Sequence, residues 1–212
     1  MTLEAVATRN ARASPKSTAI RIVLLAAGSG SRFGGDKLEA PLSDGTPLVL
    51  ATARGLLAAG GAVLAVVRGA RDRDGQGAAR LLRALPDIDS VPCAGAAQGI
   101  GHSIACGVRH SADANGWLLA LGDMPFVRPE TIRRLLDALA GGASLVAPCH
   151  GGRRGHPVGF SRRWRSSLLR LSGDIGARRV LAANPDALML IDVEDAGVLL
   201  DVDRPADLAR GA

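Results

Sequence analysis

Along this chain, apolar runs about one strand long alternate with stretches in which apolar positions recur at helical spacing. Ile20–Ala26 is an almost unbroken apolar run, the mark of a parallel strand covered on both faces. Thr46–Pro47 supplies a cap followed by proline in the first turn, which predicts a helix to about Ala59, ended by Gly60–Gly61. Further strands are expected at Ala62–Val67, Ile88–Pro92, Trp117–Leu121 and Ser144–Pro148. The helices between them are expected at about Gly75–Leu85, Gly101–Ala112 and Pro129–Ala140.

The last third is less regular. A turn-rich basic loop, Gly151–Gly155, leads to a strand at His156–Phe160 and two short helices at Arg162–Leu171 and Asp174–Ala183. Strands near Leu188–Val193 and Val198–Val202 follow, with a helical turn at Pro205–Ala209. Strands alternating with helices in this way predict a mostly parallel sheet joined by right-handed crossovers. No internal repeat or long linker divides the chain. Residues 20–212 therefore read as a single Rossmann-like three-layer α/β/α domain. Residues 1–19 mix Arg, Ser, Thr, Pro and Ala without periodicity and read as a disordered tail, with no h-region of a signal peptide.

Composition narrows this picture. With 47% apolar residues but only 2% aromatics, the core must come from Leu, Val, Ile and Ala. No apolar run reaches the roughly 18–20 residues that would span a bilayer, so no membrane association is expected. The net charge of +6 invites a nucleic-acid reading, yet the only lysines are Lys16 and Lys37, and the arginines are scattered in pairs such as Arg133–Arg134. Almost no aromatics are present to stack on bases, and an anionic small-molecule substrate explains the charge as well. Nucleic acid is therefore not expected as a partner. Cys93, Cys106 and Cys149 form no C-x-x-C pair, which fits free thiols in a reducing cytoplasm. Cys149, His150 and His156 match no usual zinc spacing.

In a sheet of this kind ligands bind beyond the carboxyl ends of the strands. The segment after the first strand reads Leu25-Ala26-Ala27-Gly28-Ser29-Gly30-Ser31-Arg32-Phe33-Gly34-Gly35-Asp36-Lys37. Gly28, Gly30, Gly34 and Gly35 let bare N–H groups approach phosphate oxygens, and Arg32 and Lys37 add charge to neutralise a triphosphate. A dinucleotide fingerprint would need a small residue at Phe33, and a Walker A loop would need Gly-Lys-Ser/Thr where Asp36-Lys37-Leu38 stands. Trp117–Leu121 ends in Gly122-Asp123-Met124-Pro125, placing Asp123 at a strand end where a carboxylate can hold Mg²⁺ against phosphates.

Leu25–Lys37 closely resembles the signature loop of the molybdenum cofactor cytidylyltransferase and guanylyltransferase group of NTP-dependent nucleotidyltransferases. The resemblance implies that Leu25, Ala26, Ala27 and Gly28 contact the base and ribose, that Gly30, Arg32, Gly34, Gly35 and Lys37 hold the triphosphate, and that Asp123 binds the metal. Relatives often carry one more residue before Asp-Lys. Leu199–Leu208 is similar to the family's closing D-x-D-T-P-x-D-L segment, with Arg204 in place of Thr. Asp201 and Asp203 alternate there, so only one of them can face the metal, with Asp203 preferred. Asp207 is expected to cap the final helix. Gly99-Ile100-Gly101-His102-Ser103 and Arg154-Gly155-His156-Pro157-Val158 are similar to segments of the cytidylyltransferase-like members. Gly101, His102 and Ser103 thereby join the expected nucleotide-binding set, while Arg153, Arg154 and His156 are candidates for gripping an acceptor phosphate. Ser172–Arg178 also resembles a family segment without an evident mechanism.

Motifs and resemblance together imply a cytoplasmic, Mg²⁺-dependent nucleotidyltransferase with Arg32, Lys37 and Asp123 as catalytic residues. Ala27, where guanylyltransferase relatives usually carry glycine, favours CTP, with molybdopterin as acceptor and a molybdoenzyme or its chaperone as transient partner. Guanylyl or sugar-phosphate transfer on the same fold is the nearest alternative. A non-catalytic assembly factor would be expected to lack Lys37 or Asp123, and a dinucleotide-dependent oxidoreductase to close its second strand with an acid, where Val67-Arg68 stands.

Overall fold

The computed structural model describes residues 19–28, 33, 36–69 and 76–211. Four parallel-type strands form its first half: β1 (Ile20–Ala26), β2 (Ala62–Arg68), β3 (Ile88–Cys93) and β4 (Gly116–Leu121). Between them run α1 (Leu48–Ala58), α2 (Gln76–Arg83) and α3 (Ile100–His110). After α4 (Pro129–Ala140) come β5 (Leu145–His150), the two-residue β6 (Arg153–Arg154) and β7 (Val158–Ser161). The short helices α5 (Arg165–Leu169) and α6 (Arg178–Ala182) precede β8 (Leu188–Asp192).

The strands form one eight-stranded sheet in the order β3-β2-β1-β4-β7-β5-β6, with β8 also paired to β5. β1 runs parallel to both β2 and β4, and β5 to β8. β7 is antiparallel to β4 and to β5. Sheet and layers are thus those expected, mostly parallel with an antiparallel insertion. Alternation along β1 sends Ile22, Leu24 and Ala26 to one core and Val23, Leu25 and Ala27 to the other. The first core packs α1, α2 and α4 on one face, through residues such as Leu48, Leu82 and Leu135. The second packs α3, α5 and α6 on the opposite face, around the fully buried Trp117 and Phe160. The polar edge of Trp117 is satisfied, since its Nε1–H donates to Ser111 Oγ at 2.9 Å.

One expected strand does not form. Val198–Val202 is a short 3-10 helix over Ala196–Leu199 followed by irregular chain. The Asp195 carboxylate accepts from Gly197 N at 3.0 Å and turns the backbone there before a ladder can start. The expected helices of the last third are also shorter, with 3-10 turns at Arg162–Trp164 and Gly173–Ile175 leading into α5 and α6. The expected tail lies outside the described residues, apart from Ala19.

Candidate functional site

The chain leaves β1 for β2 on one side, and the strand on its other side is β4, so the sheet order reverses at β1. Adjacent parallel strands whose chains depart in opposite directions leave a crevice at their carboxyl ends. Here the two ends are knitted together, as Gly122 N donates to Leu25 O at 3.0 Å. Thr52 Oγ1, on α1, donates to Gly122 O at 3.1 Å and fixes the turn from behind. Asp123 therefore emerges from a rigid strand end.

Lys37 approaches from the other wall. It opens a 3-10 turn, Lys37–Glu39, that is anchored by the buried Leu38 and held by Glu39 N donating to Asp36 O at 2.9 Å. Its ammonium donates to Asp123 Oδ2 at 2.7 Å and to Asp203 Oδ1 at 3.0 Å. The Lys37 side chain is only 13% exposed, against 21% for Asp123 and 45% for Asp203. Burial works against its charge, but Asp123 and then Asp203 outweigh this and hold its pKa above the ordinary 10.5. Asp203, not Asp201, is thus the residue of the closing segment hydrogen-bonded to Lys37. Asp201 stays nearby: burial chiefly, then the charges of Asp203 and Asp123, raise its pKa above 3.8.

The closing segment is held in three places. Val202 N donates to Asp123 O at 3.0 Å. Asp207 accepts from Asp203 N at 3.1 Å and from Arg204 N at 2.9 Å, reaching back across the start of the 3-10 helix Pro205–Gly211 as expected of a cap. Asp195, 2% exposed, accepts from Arg128 N at 2.9 Å and from Thr131 Oγ1 at 2.7 Å at the start of α4. It caps a helix from outside that helix and was not singled out by the sequence, because its partners lie 67 and 64 residues away.

A divalent cation fits this corner. Asp123 Oδ1 is buried without a hydrogen-bond partner, and Asp203 is partly open. Among the described residues no group of three or more His, Cys, Asp or Glu converges on one point. Two carboxylates suit Mg²⁺, which prefers few protein ligands alongside phosphate oxygens and waters.

Two chambers lie near the corner, the first of them bordered by Asp123. The first, about 290 Å³, is bordered by Ala27, Gly28, Arg68, Gly99, Ser103 and Asp123. The second, about 220 Å³, has an apolar floor including Ile104, Leu119 and Val158 and a polar rim of Arg154, His156, Asp174 and Arg178. They share Leu25, Ile100, Leu121 and Asp174, so they form one cleft with two ends, on the scale of a small-molecule site. His156 Nδ1 is buried and unpartnered. Burial holds its imidazole below the ordinary 6.5, against the pull of Asp123.

Of the other expected site residues, Leu25, Ala27, Gly28 and Ser103 border the first chamber, and Ala26 points into the α1-side core. Gly101 and His102 turn instead to the Ser172–Asp174 segment. A Cβ on Gly101 would stand 2.7 Å from Ser172 backbone atoms, and Gly173 N donates to His102 Nδ1 at 3.3 Å. Gly99, at φ +116°, is crowded by the same turn. The Gly-Ile-Gly-His pattern thus lets Ser172–Asp174 lie against α3, and Asp174 reaches both chambers from there. Gly30, Arg32, Gly34 and Gly35 lie outside the described residues. Phe33 packs against the α1-side core, which accounts for a large residue at that place. The cysteines are all buried free thiols, and burial, then Cys93, push the Cys106 thiol up to about 12.

Comparison with known proteins agrees with this layout. Residues 22–188 match the MobA-like NTP transferase domain. The chain is 33% identical over 199 residues to nicotine blue oxidoreductase of Paenarthrobacter nicotinovorans, covering 89% of this chain and 94% of that one. Rv0371c of Mycobacterium tuberculosis H37Rv is 31% identical, with a TM-score of 0.75 over 90% of this chain and 95% of that one. A second structure of Rv0371c is a complex with manganese. A nucleotidyl transferase of Methanothermobacter thermautotrophicus shares the fold at a TM-score of 0.76 and 24% identity, over 90% and 94% of the two chains.

Proposed function

The chain belongs to the MobA-like NTP transferase family, and on that footing we propose that it transfers CMP from CTP to a phosphorylated acceptor of the molybdopterin type. The observation that carries this reading is Lys37 Nζ poised between Asp123 and Asp203, at 2.7 and 3.0 Å, at the mouth of a two-ended cleft. An acceptor phosphate oxygen attacks the α-phosphorus of the NTP, a P–O bond forms, and the bond to the leaving pyrophosphate breaks. The nucleophile is already ionised near neutral pH, so no side chain need remove a proton. Lys37 neutralises charge on the leaving phosphates, and the neighbouring backbone N–H groups orient them. Arg32 is proposed to do the same from the loop. Asp123 and Asp203 would hold Mg²⁺, which when bound supplies further neutralisation of phosphate oxygens. That the similar Rv0371c is known as a complex with manganese supports the use of a divalent cation.

The first chamber would take the nucleotide and the second the acceptor, whose phosphate meets Arg154 and the neutral His156. Hand-over of the product to a molybdoenzyme or its chaperone, in the cytoplasm, belongs to the same reading. No helix among the described residues is long and apolar enough to cross a membrane.

A redox reading is favoured by one observation, the likeness over nearly the whole chain to an enzyme named as an oxidoreductase. On that reading the first chamber takes a reduced dinucleotide and the apolar one an electron-accepting ring system. One experiment separates the two. Pyrophosphate release is measured with Mg²⁺, a molybdopterin-type acceptor and CTP, GTP, ATP or UTP, beside oxidation of NADH and NADPH with a quinone-type dye. Release with CTP is the expected result. Release with GTP alone keeps the site and overturns the choice of base, whereas dinucleotide oxidation without pyrophosphate release overturns the transferase reading.

A further inference from the structure

Arg68 closes β2, and its residue is 8% exposed. Its Nε–H donates to Ala27 O at 3.1 Å, so the guanidinium is fixed against the first turn after β1. No carboxylate among the described residues stands within ion-pair distance of it. No partner of its Nη nitrogens is found among those residues, and Arg68 borders the first chamber. A buried cation without a counter-charge is costly, and a protein retains one where a ligand supplies the missing acceptors. The small compartment around Lys37 is bordered by Gly28, Leu38, Gly122 and Asp123 and does not include Arg68. The unused fork therefore borders the first chamber beside Ala27, with Ala97 and Gly99 among that chamber's other lining residues and Lys37 outside it.

We infer that Arg68 reads the nucleobase, selecting bases that present two adjacent acceptors to its fork. This inference rests on the nucleotidyltransferase reading and adds a specificity determinant to it. Cytosine offers O2 beside N3, and guanine O6 beside N7. Uracil places an N3–H between its carbonyls, and adenine sets an amino group beside N7, so each leaves one arm of the fork facing a donor. Lysine, a point charge without the planar fork, cannot replace this geometry.

The test is the dissociation constant of each of the four NTPs with Mg²⁺, by calorimetry, for wild type, Arg68→Met and Arg68→Lys. Wild type should bind CTP or GTP about tenfold or more tighter than UTP and ATP, the discrimination a bidentate arginine gives. In Arg68→Met the ratio should fall towards one, and Arg68→Lys should lose most of it while keeping the charge. If Arg68→Met fails to fold, Arg68→Lys decides. Equal weakening of all four nucleotides with the ratio intact would assign Arg68 to holding Ala27 alone and overturn base reading, leaving the transferase reading standing. No NTP binding by wild type, with binding of a 2′-phosphorylated dinucleotide lost in Arg68→Met, would overturn both.

Discussion

The Asp195 carboxylate lies 2.7 Å from Thr131 Oγ1, and this contact ties the segment carrying Asp203 to the start of α4. Replacing Asp195 by Ala leaves Arg128 N, Thr131 Oγ1 and Gly197 N without their acceptor. Loss of charge-assisted bonds at a buried site should cost about 2–3 kcal/mol of stability. Urea unfolding of Asp195→Ala would show it as a lower midpoint with an unchanged slope.

Lys37, Asp123 and Asp203 are expected to fail as a unit in catalysis. Asp123→Asn and Lys37→Ala should each lower turnover by about 10²-fold or more while the fold persists, as loss of a charge-stabilising group does. Near-normal pyrophosphate release by both folded variants would remove the corner from the mechanism. Stripping metal with EDTA should abolish release, and Mg²⁺ or Mn²⁺ should restore it.

Much of this layout can be read from residues alone, for a physical reason. Strands buried on both faces become apolar runs, so β1, β2 and β4 stand out, and Pro129 marks the first residue of α4. The glycine-rich segment after β1 stands out by composition, but Gly30, Arg32, Gly34 and Gly35 lie outside the described residues. What cannot be read is contact across the chain: Lys37 and Asp203 lie 166 residues apart, and no local signal pairs them. Arg68 resembles only a strand-end cation until Ala27 O and the chamber give it surroundings. The strand expected at Val198–Val202 fails likewise, because Asp195 reorganises that backbone through its own hydrogen bonds.

Burial keeps the His156 imidazole below its ordinary 6.5 in the fold. Protonation then favours the unfolded chain, so stability is lost as pH falls below 6.5 and levels off beyond the folded-state value. His156→Gln should show a shallower loss between neutral and mildly acid pH. Denaturation midpoints of the two proteins across that range provide the check, and parallel curves would exclude His156 as the source.

Gly101→Ala puts a methyl group 2.7 Å from the Ser172 backbone. The Ser172–Asp174 turn must move away from α3, at a cost of about 1–3 kcal/mol. Since Asp174 borders both chambers, nucleotide affinity should fall together with the melting temperature. A melt lowered without any change in affinity would confine that turn to a structural role.

The separation of 166 positions between Lys37 and Asp203 also sets an order of events during synthesis. Domains begin to form while the chain is still being made, at about 5–20 residues per second. The central strands can therefore be in place, with Asp123 and Lys37 side by side, several seconds before Asp203 leaves the ribosome. Until then Lys37 has only the Asp123 carboxylate as its partner, and the second carboxylate arrives with the segment that carries Asp203.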